Sequence, residues 1–161
     1  MRKIKLYLET SVWNFLFADD APEKKEETIA FFAGLDFEVC ELYVSELVFK
    51  EIRKAHEPVQ TILHNTINEF HPVILEINEE VGRLASIYMS EDFLPEKAFD
   101  DLQHIAIATV YGMDFLLSWN LKHIANEKSM LAVNKINVSE GYKKLKLSTI
   151  KGVLLHDDER T

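Results

Sequence analysis

Cysteine is nearly absent from this sequence, because the 161 residues contain only Cys40. A single cysteine excludes a disulfide within the chain and is typical of a reducing compartment. Since Cys40 lies in an apolar stretch, we expect it to be a small buried hydrophobic residue. No apolar run approaches the roughly 20 residues that span a bilayer, and Glu9 interrupts the apolar start too early for a signal peptide. We therefore expect a cytoplasmic protein that does not enter a membrane.

Glycine is also scarce, with five positions in the whole chain. No G-x-G-x-x-G sequence follows the first apolar stretch, and this counts against a small-molecule α/β enzyme built on a glycine-rich phosphate loop. A flavodoxin-like receiver would need a pair of acids after its first strand and an Asp that ends a strand in mid-chain. Neither feature is visible in the sequence.

Positive charge is the third deficit, because 18 Lys and Arg face 27 Asp and Glu and leave a net charge of −9. This balance argues against broad electrostatic binding of nucleic acid, which usually requires a basic surface. It does not exclude an enzyme that acts on nucleic acid. Carboxylates that hold a metal ion count as full negative charges when the metal is ignored.

The chain does contain a regular alternation of apolar strands and amphipathic helices. The predicted strands are Ile4–Leu8, Val39–Val44, Val73–Ile77, Asp114–Ser118 and Leu145–Thr149. The predicted helices are Val12–Phe17, Glu23–Ala33, Glu46–Lys54, Pro58–Phe70, Glu79–Met89, Phe99–Tyr111 and Lys128–Ser139. This alternation predicts an α/β domain with a parallel sheet and helices on both faces. The length predicts one domain over residues 1–161, with 153–161 as a frayed tail.

The helix Phe99–Tyr111 carries an acid on an apolar face. Positions 98, 101, 105 and 108 share one side of that helix, and apart from Asp101 they are alanine or isoleucine. A buried carboxylate is costly unless it meets a partner or a cation. Asp101 is therefore a candidate for a cap or a ligand, whereas Asp100 points about 100° away around the helix.

Polar side chains also follow the ends of the predicted strands, where sites form in parallel sheets. These positions are Glu9, Ser45 with the acids after it, and Asn120. Oxygen ligands of this kind suit hard divalent cations such as Mg²⁺. Spacing alone favours Glu9 as a surface acid, His104 as a structural or supporting residue and Trp119 as a packed aromatic. Glu51 could equally be a solvent-facing helix acid.

Four segments of the chain resemble PIN-domain nucleases, most closely the VapC-like toxins of toxin–antitoxin pairs. In chain order they are YLETSVWNFLF, YVSELVFKEI, DLQHIAIA and FLLSWNLKHIAN. The resemblance implies a three-layer α/β/α fold and RNA cleavage with Mg²⁺ or Mn²⁺ held by a few acids. It also implies an antitoxin protein as a partner and a homodimer as the oligomeric state.

The same resemblance assigns roles to individual residues. It implies Glu9, Glu51, Asp101 and Asn120 as the catalytic and metal-binding set, choosing Glu51 over Glu46 and Asp101 over Asp100. Further roles are implied at six other positions: Ser11, Ser118, Lys122 and His123 in substrate binding, and Thr10 and His104 in supporting the metal ligands.

Two positions depart from the family pattern. Glu9 stands where the family has Asp, and Asn120 stands where it often has Asp. At most three anionic ligands remain, so weaker metal binding is expected. Our prediction is a metal-dependent endoribonuclease, and the alternative is a catalytically weakened PIN-like module that binds RNA or an antitoxin-type partner.

Overall fold

The computed structural model describes residues 2–91, 99–120 and 127–151, and in this part of the chain five strands form one sheet. The strands are β1 (Ile4–Leu8), β2 (Cys40–Ser45), β3 (Val73–Leu75), β4 (Phe115–Leu117) and β5 (Lys146–Ser148). All four pairings between neighbouring strands are parallel. The predicted α/β class with a parallel sheet is confirmed. The extent of the domain stays a prediction, and residues 153–161 lie outside the described residues.

Helices occupy the segments between the strands. They are α1 (Thr10–Phe15), α2 (Pro22–Ala33), α3 (Glu46–Ile52), α4 (Val59–Phe70), α5 (Glu79–Met89), α6 (Phe99–Val110) and α7 (Glu127–Ser139). Helix α1 begins two residues earlier than predicted, because Glu9 caps it by accepting a hydrogen bond from the backbone N–H of Ser11. This places Glu9 at a strand end and at a helix start at the same time.

The strand order β3-β2-β1-β4-β5 divides the helices into two layers. The chain first moves outward from β1 through β2 to β3, and then returns to the other side of β1 for β4 and β5. Crossovers between parallel strands are right-handed, so reversal of the direction puts the later helices on the opposite face of the sheet. Helices α1 to α4 contact one another, and α5 packs along α6. The result is a three-layer α/β/α sandwich.

The core includes an aromatic cluster where helices α1, α2 and α4 meet. The Trp13 ring is fully buried, and its centroid lies 5.1 Å from that of Phe32 and 6.0 Å from that of Phe70. Trp13 is therefore a packing residue, whereas Phe17 at the end of the same segment is exposed. Cys40 is buried, as predicted. Within the described ranges, no helix is long and apolar enough to cross a membrane.

Asn78 and Ser45 stand directly before predicted helices, and both residue types favour the N-cap position, but only one of them caps its helix. Asn78 caps α5 as expected, because its side chain accepts a hydrogen bond from the N–H of Val81 at 2.9 Å. Ser45 occupies the N-cap position of α3 but makes no side-chain capping bond. Its hydroxyl instead lies 2.7 Å from the hydroxyl of Tyr7. The expected cap is wrong because a buried partner competes for the same hydroxyl.

An ionic cluster ties together the amino ends of the strands. The Asp114 carboxylate accepts bonds from the Arg2 guanidinium at 3.0 and 3.1 Å, from Lys143 at 2.9 Å and from the backbone N–H of Lys5 at 2.7 Å. Partial burial acts to raise the pKa of Asp114, but these donors outweigh it and lower the pKa from 3.8 to about 2.

This lowered pKa makes part of the stability depend on pH. The folded state keeps the Asp114 carboxylate ionised at pH values where the unfolded chain binds a proton, so its contribution is complete above about pH 4 and disappears towards pH 2. We expect a contribution of about 1–2 kcal/mol after allowance for solvent screening. Urea unfolding from pH 7 to pH 2 should show that Asp114→Asn loses this amount at pH 7 and nothing near pH 2. The exposed Asp20→Asn is the control, and equal losses at both pH values would contradict the assignment.

Candidate metal centre at the carboxyl ends of the strands

The candidate site lies where the order of the strands reverses. Strands β1 and β4 are neighbours in the sheet, but the chain leaves them in opposite directions. The crevice beyond their carboxyl ends is where ligands bind in open parallel sheets. Glu9 follows β1 and Ser118 follows β4, and the backbone N–H of Glu9 donates to the carbonyl of Leu117 at 3.0 Å. Backbone pairing between the strands therefore places both polar residues at the crevice.

Glu9 is held through one of its two oxygens. Its Oε2 accepts hydrogen bonds from the Ser11 hydroxyl at 2.6 Å, the Ser118 hydroxyl at 2.6 Å and the Ser11 backbone N–H at 3.1 Å. Each serine in turn accepts a backbone N–H from the segment after β4: Trp119 at 2.8 Å for Ser11 and Asn120 at 3.0 Å for Ser118. The two hydroxyls orient Glu9 and lock the ends of the strands together.

Glu51 reaches the same place from helix α3. Its Oε1 contacts Nε2 of His104 at 2.5 Å and accepts a bond from the Thr10 hydroxyl at 2.7 Å. Burial acts to raise the pKa of Glu51, but the hydrogen bonds that His104 and Thr10 donate to it, together with the charge of Lys54, bring the pKa below its usual value. Glu51 is therefore a carboxylate near neutral pH, and it is also held through one oxygen.

Behind Glu51, a buried chain of polar groups runs back into the sheet. Nδ1 of His104 lies 2.6 Å from the Tyr7 hydroxyl, and that hydroxyl lies 2.7 Å from the Ser45 hydroxyl. Tyr7 is fully buried in β1, and burial raises the pKa of its hydroxyl well above the usual value. The phenol therefore keeps its proton and acts as a neutral hydrogen-bonding group.

Glu9, Glu51 and His104 form a group that suits a metal ion. One ligand atom from each lies within 4.8 Å of the others. Within the described residues, the recorded contacts of Glu9 use Oε2 and those of Glu51 use Oε1, so each carboxylate has its second oxygen available. Two anchored carboxylates with available oxygens are the donor set that Mg²⁺ or Mn²⁺ takes. The residues present therefore fit such an ion.

The other predicted ligands lie on neighbouring elements. Asp101 is half-buried on α6, one turn before the fully buried His104, and Asp100 is exposed. Asn120 is exposed two residues after Ser118. Glu46 is exposed, and its carboxylate lies 3.5 Å from the backbone nitrogen of Ile77.

The remaining candidates divide between described and undescribed parts of the chain. The Trp119 ring packs against Phe15 at 5.8 Å and donates from Nε1 to Thr28 at 3.0 Å, as expected of a packed aromatic. Lys122 and His123 lie outside the described residues. Their contact with substrate stays a prediction, as do the roles of Ser11 and Ser118 in substrate binding.

Sequence reasoning missed Tyr7 and the partnership of Tyr7 with Ser45. A signal was present, because Tyr7 stands inside the otherwise apolar end of strand IKLYL. A buried tyrosine usually finds a hydrogen-bond partner for its hydroxyl. The sequence offers no means of choosing that partner, since His104 lies 97 residues away.

Comparison with known proteins identifies the fold through structure and not through sequence. No family model and no curated protein matches the sequence. The Mycobacterium tuberculosis toxin VapC20, described as cleaving the sarcin–ricin loop, matches with a TM-score of 0.59 and 13% identity over 88% of this chain and 98% of its own. VapBC-1 from nontypeable Haemophilus influenzae matches with a TM-score of 0.55 and 12% identity, over 92% of this chain and 99% of its own. VapBC2 from Rickettsia felis, solved with a fragment of promoter DNA, matches with a TM-score of 0.54 and 11% identity, over 91% of this chain and 98% of its own.

The chain therefore has the α/β/α fold of PIN domains. More particularly, the three neighbours named above are one VapC toxin and two VapBC structures, and the resemblance found in the four sequence motifs is confirmed at the level of the fold.

Proposed function

We propose that this protein is a divalent-metal-dependent endoribonuclease and the toxin of a toxin–antitoxin pair. The observation that carries the proposal is the convergence of Glu9 and Glu51 at the reversal of strand order, each held by hydroxyl donors with one oxygen available. A fold that only presented a binding surface would gain nothing from two acids brought together in this way. The cost of burying carboxylates is offset when they hold a cation.

The proposed ligands are Glu9, Glu51 and Asp101, with Asn120 as a neutral ligand or a residue that positions water. Asp101 is included because it lies one turn before His104 on the same side of α6, and His104 is a member of the group. A bound Mg²⁺ or Mn²⁺ would activate water and neutralise charge at the phosphodiester. Thr10, Ser11 and Ser118 would keep the two glutamates in place.

The proposal includes RNA as the substrate and an antitoxin as the partner, since the structural neighbours include a toxin described as cleaving the sarcin–ricin loop and two VapBC complexes. A homodimer is part of the proposal, as in the sequence analysis. A cytoplasmic location rests on the single free cysteine.

Titration of the purified protein with Mn²⁺ in a calorimeter, beside an RNA cleavage assay, tests this proposal. We expect saturable Mn²⁺ binding and cleavage that stops when EDTA removes the metal and resumes when Mn²⁺ is restored. Cleavage that persists in EDTA would contradict metal dependence. Mn²⁺ binding without cleavage of any RNA, including total cellular RNA, would favour the weakened binding module.

A further inference from the structure

We propose that Tyr7 is a positioning residue for the metal centre, acting through His104 on Glu51. The inference rests on the proposed function, since it concerns the same carboxylate. It assigns a role to a buried strand residue that does not itself reach the site. The chain of contacts that carries it runs from the Ser45 hydroxyl to Tyr7, from Tyr7 to His104, and from His104 to Glu51.

The direction of these hydrogen bonds follows from Glu51, the last group in the series. Glu51 can hold a metal only as a carboxylate, which has no proton to donate, so Nε2 of His104 is the donor in the 2.5 Å contact. In the ring form with its proton on Nε2, Nδ1 is the acceptor, and the Tyr7 hydroxyl donates to it at 2.6 Å. The hydroxyl of Ser45 then donates to Tyr7 at 2.7 Å. In this arrangement Tyr7 and His104 each donate one hydrogen bond and accept one.

This arrangement fixes which nitrogen of His104 faces Glu51. A histidine nitrogen that donates a proton has no lone pair for a metal, so His104 orients Glu51 instead of binding the ion. Thr10 occupies the same Oε1 at 2.7 Å. Both donors therefore hold Oε1, so Oε2 is the oxygen of Glu51 that would take a metal ion. Without the Tyr7 hydroxyl, Nδ1 of His104 would lose the hydrogen bond that fixes it as the acceptor, and the ring would be held from its Nε2 side alone.

The burial of these hydrogen-bonded groups explains why a tyrosine is used. Tyr7 and Ser45 are fully buried and His104 is 1% exposed, so water does not supply the missing hydrogen bonds. Tyr7 lies in β1, the central strand, between β2 and β4. A rigid strand in the middle of the sheet is therefore the anchor for a ligand on helix α3.

The test compares Tyr7→Phe with Tyr88→Phe. Tyr88 is equally buried, and its hydroxyl contacts Thr109 and Asn137 instead of His104. Both substitutions therefore remove one buried, hydrogen-bonded tyrosine hydroxyl. We expect Tyr7→Phe to weaken Mn²⁺ binding about tenfold, the usual size for residues behind a metal ligand. The metal concentration needed for half-maximal cleavage should rise in proportion. Tyr88→Phe should lower the melting temperature without changing Mn²⁺ affinity.

The outcomes separate this inference from the proposed function. Wild-type protein that binds Mn²⁺, together with Tyr7→Phe that binds it equally well, overturns the role of Tyr7 and leaves the nuclease proposal standing. Equal weakening in both tyrosine variants means a general structural effect and also overturns it. No binding by the wild type removes both proposals. If Tyr7→Phe does not fold, Ser45→Ala removes the next hydroxyl of the chain and should weaken Mn²⁺ binding by a smaller factor; an unchanged affinity there rejects the proposal.

Discussion

Asp101→Asn is expected to abolish RNA cleavage and to leave the fold intact. The substitution keeps the size of the side chain and removes its charge, and position 101 is half-buried one turn before the buried His104. If Asp101 is a ligand, its loss removes an anion from a site that holds at most three. Stabilisation of developing charge by a metal accounts for several kcal/mol of the barrier, so cleavage should fall by about 1,000-fold or more.

Asp100→Asn is the matched control for this experiment. The residue is adjacent, carries the same charge and is exposed at the same helix start. Both variants change the net charge and the first turn of α6 in the same way. A ratio of initial rates near one between the two variants would reject Asp101 as a ligand. Circular dichroism and a melting curve for each variant show whether a lost rate reflects a lost fold.

The sheet and its class were predictable because the strands are short apolar runs between amphipathic helices. The predicted strand Ile4–Leu8 and helix Glu79–Met89 have the bounds that the structure gives. The order β3-β2-β1-β4-β5 was not predicted, because strand order depends on contacts between distant segments. Ser45 also depends on a contact between distant segments. Its sequence position favours a helix cap, and only the fold brings Tyr7 to its hydroxyl.

The site was partly predictable for a related reason. Glu9 was singled out because it ends a strand, and Glu51 was chosen over Glu46 through the resemblance to PIN domains. The structure brings Glu9 and Glu51 into one group with His104, whereas Glu46 lies near Ile77. The supporting contacts were beyond reach, since the serines after β1 and β4 meet at 3.2 Å although 107 residues separate them. Periodicity predicts which face of an element is buried, but not which buried polar groups meet.

Glu9→Gln is expected to weaken Mn²⁺ binding and to lower the cleavage rate by about 100-fold or more, since the substitution removes one of the few anionic ligands. The glutamine oxygen can still accept the bonds of Ser11 and Ser118, so the ends of β1 and β4 should stay joined and the melting temperature should change little. Glu9 is 7% exposed, and a neutral amide at this position avoids burying a charge when no metal is bound.

The thermal stability of Glu9→Gln, measured without and with metal, gives the experiment a second readout. Without metal, Glu9→Gln should be as stable as the wild type or more stable, because no unpaired anion is buried. With Mn²⁺, the wild type should gain stability by mass action and Glu9→Gln should gain much less. Melting curves in EDTA and in Mn²⁺ measure both effects, and Glu46→Gln, an equal change of charge on an exposed residue, should behave as the wild type. If Mn²⁺ raises the melting temperature of Glu9→Gln as much as that of the wild type, Glu9 does not hold the metal. The hydroxyls of Ser11 and Ser118 would then serve only to join the two strand ends.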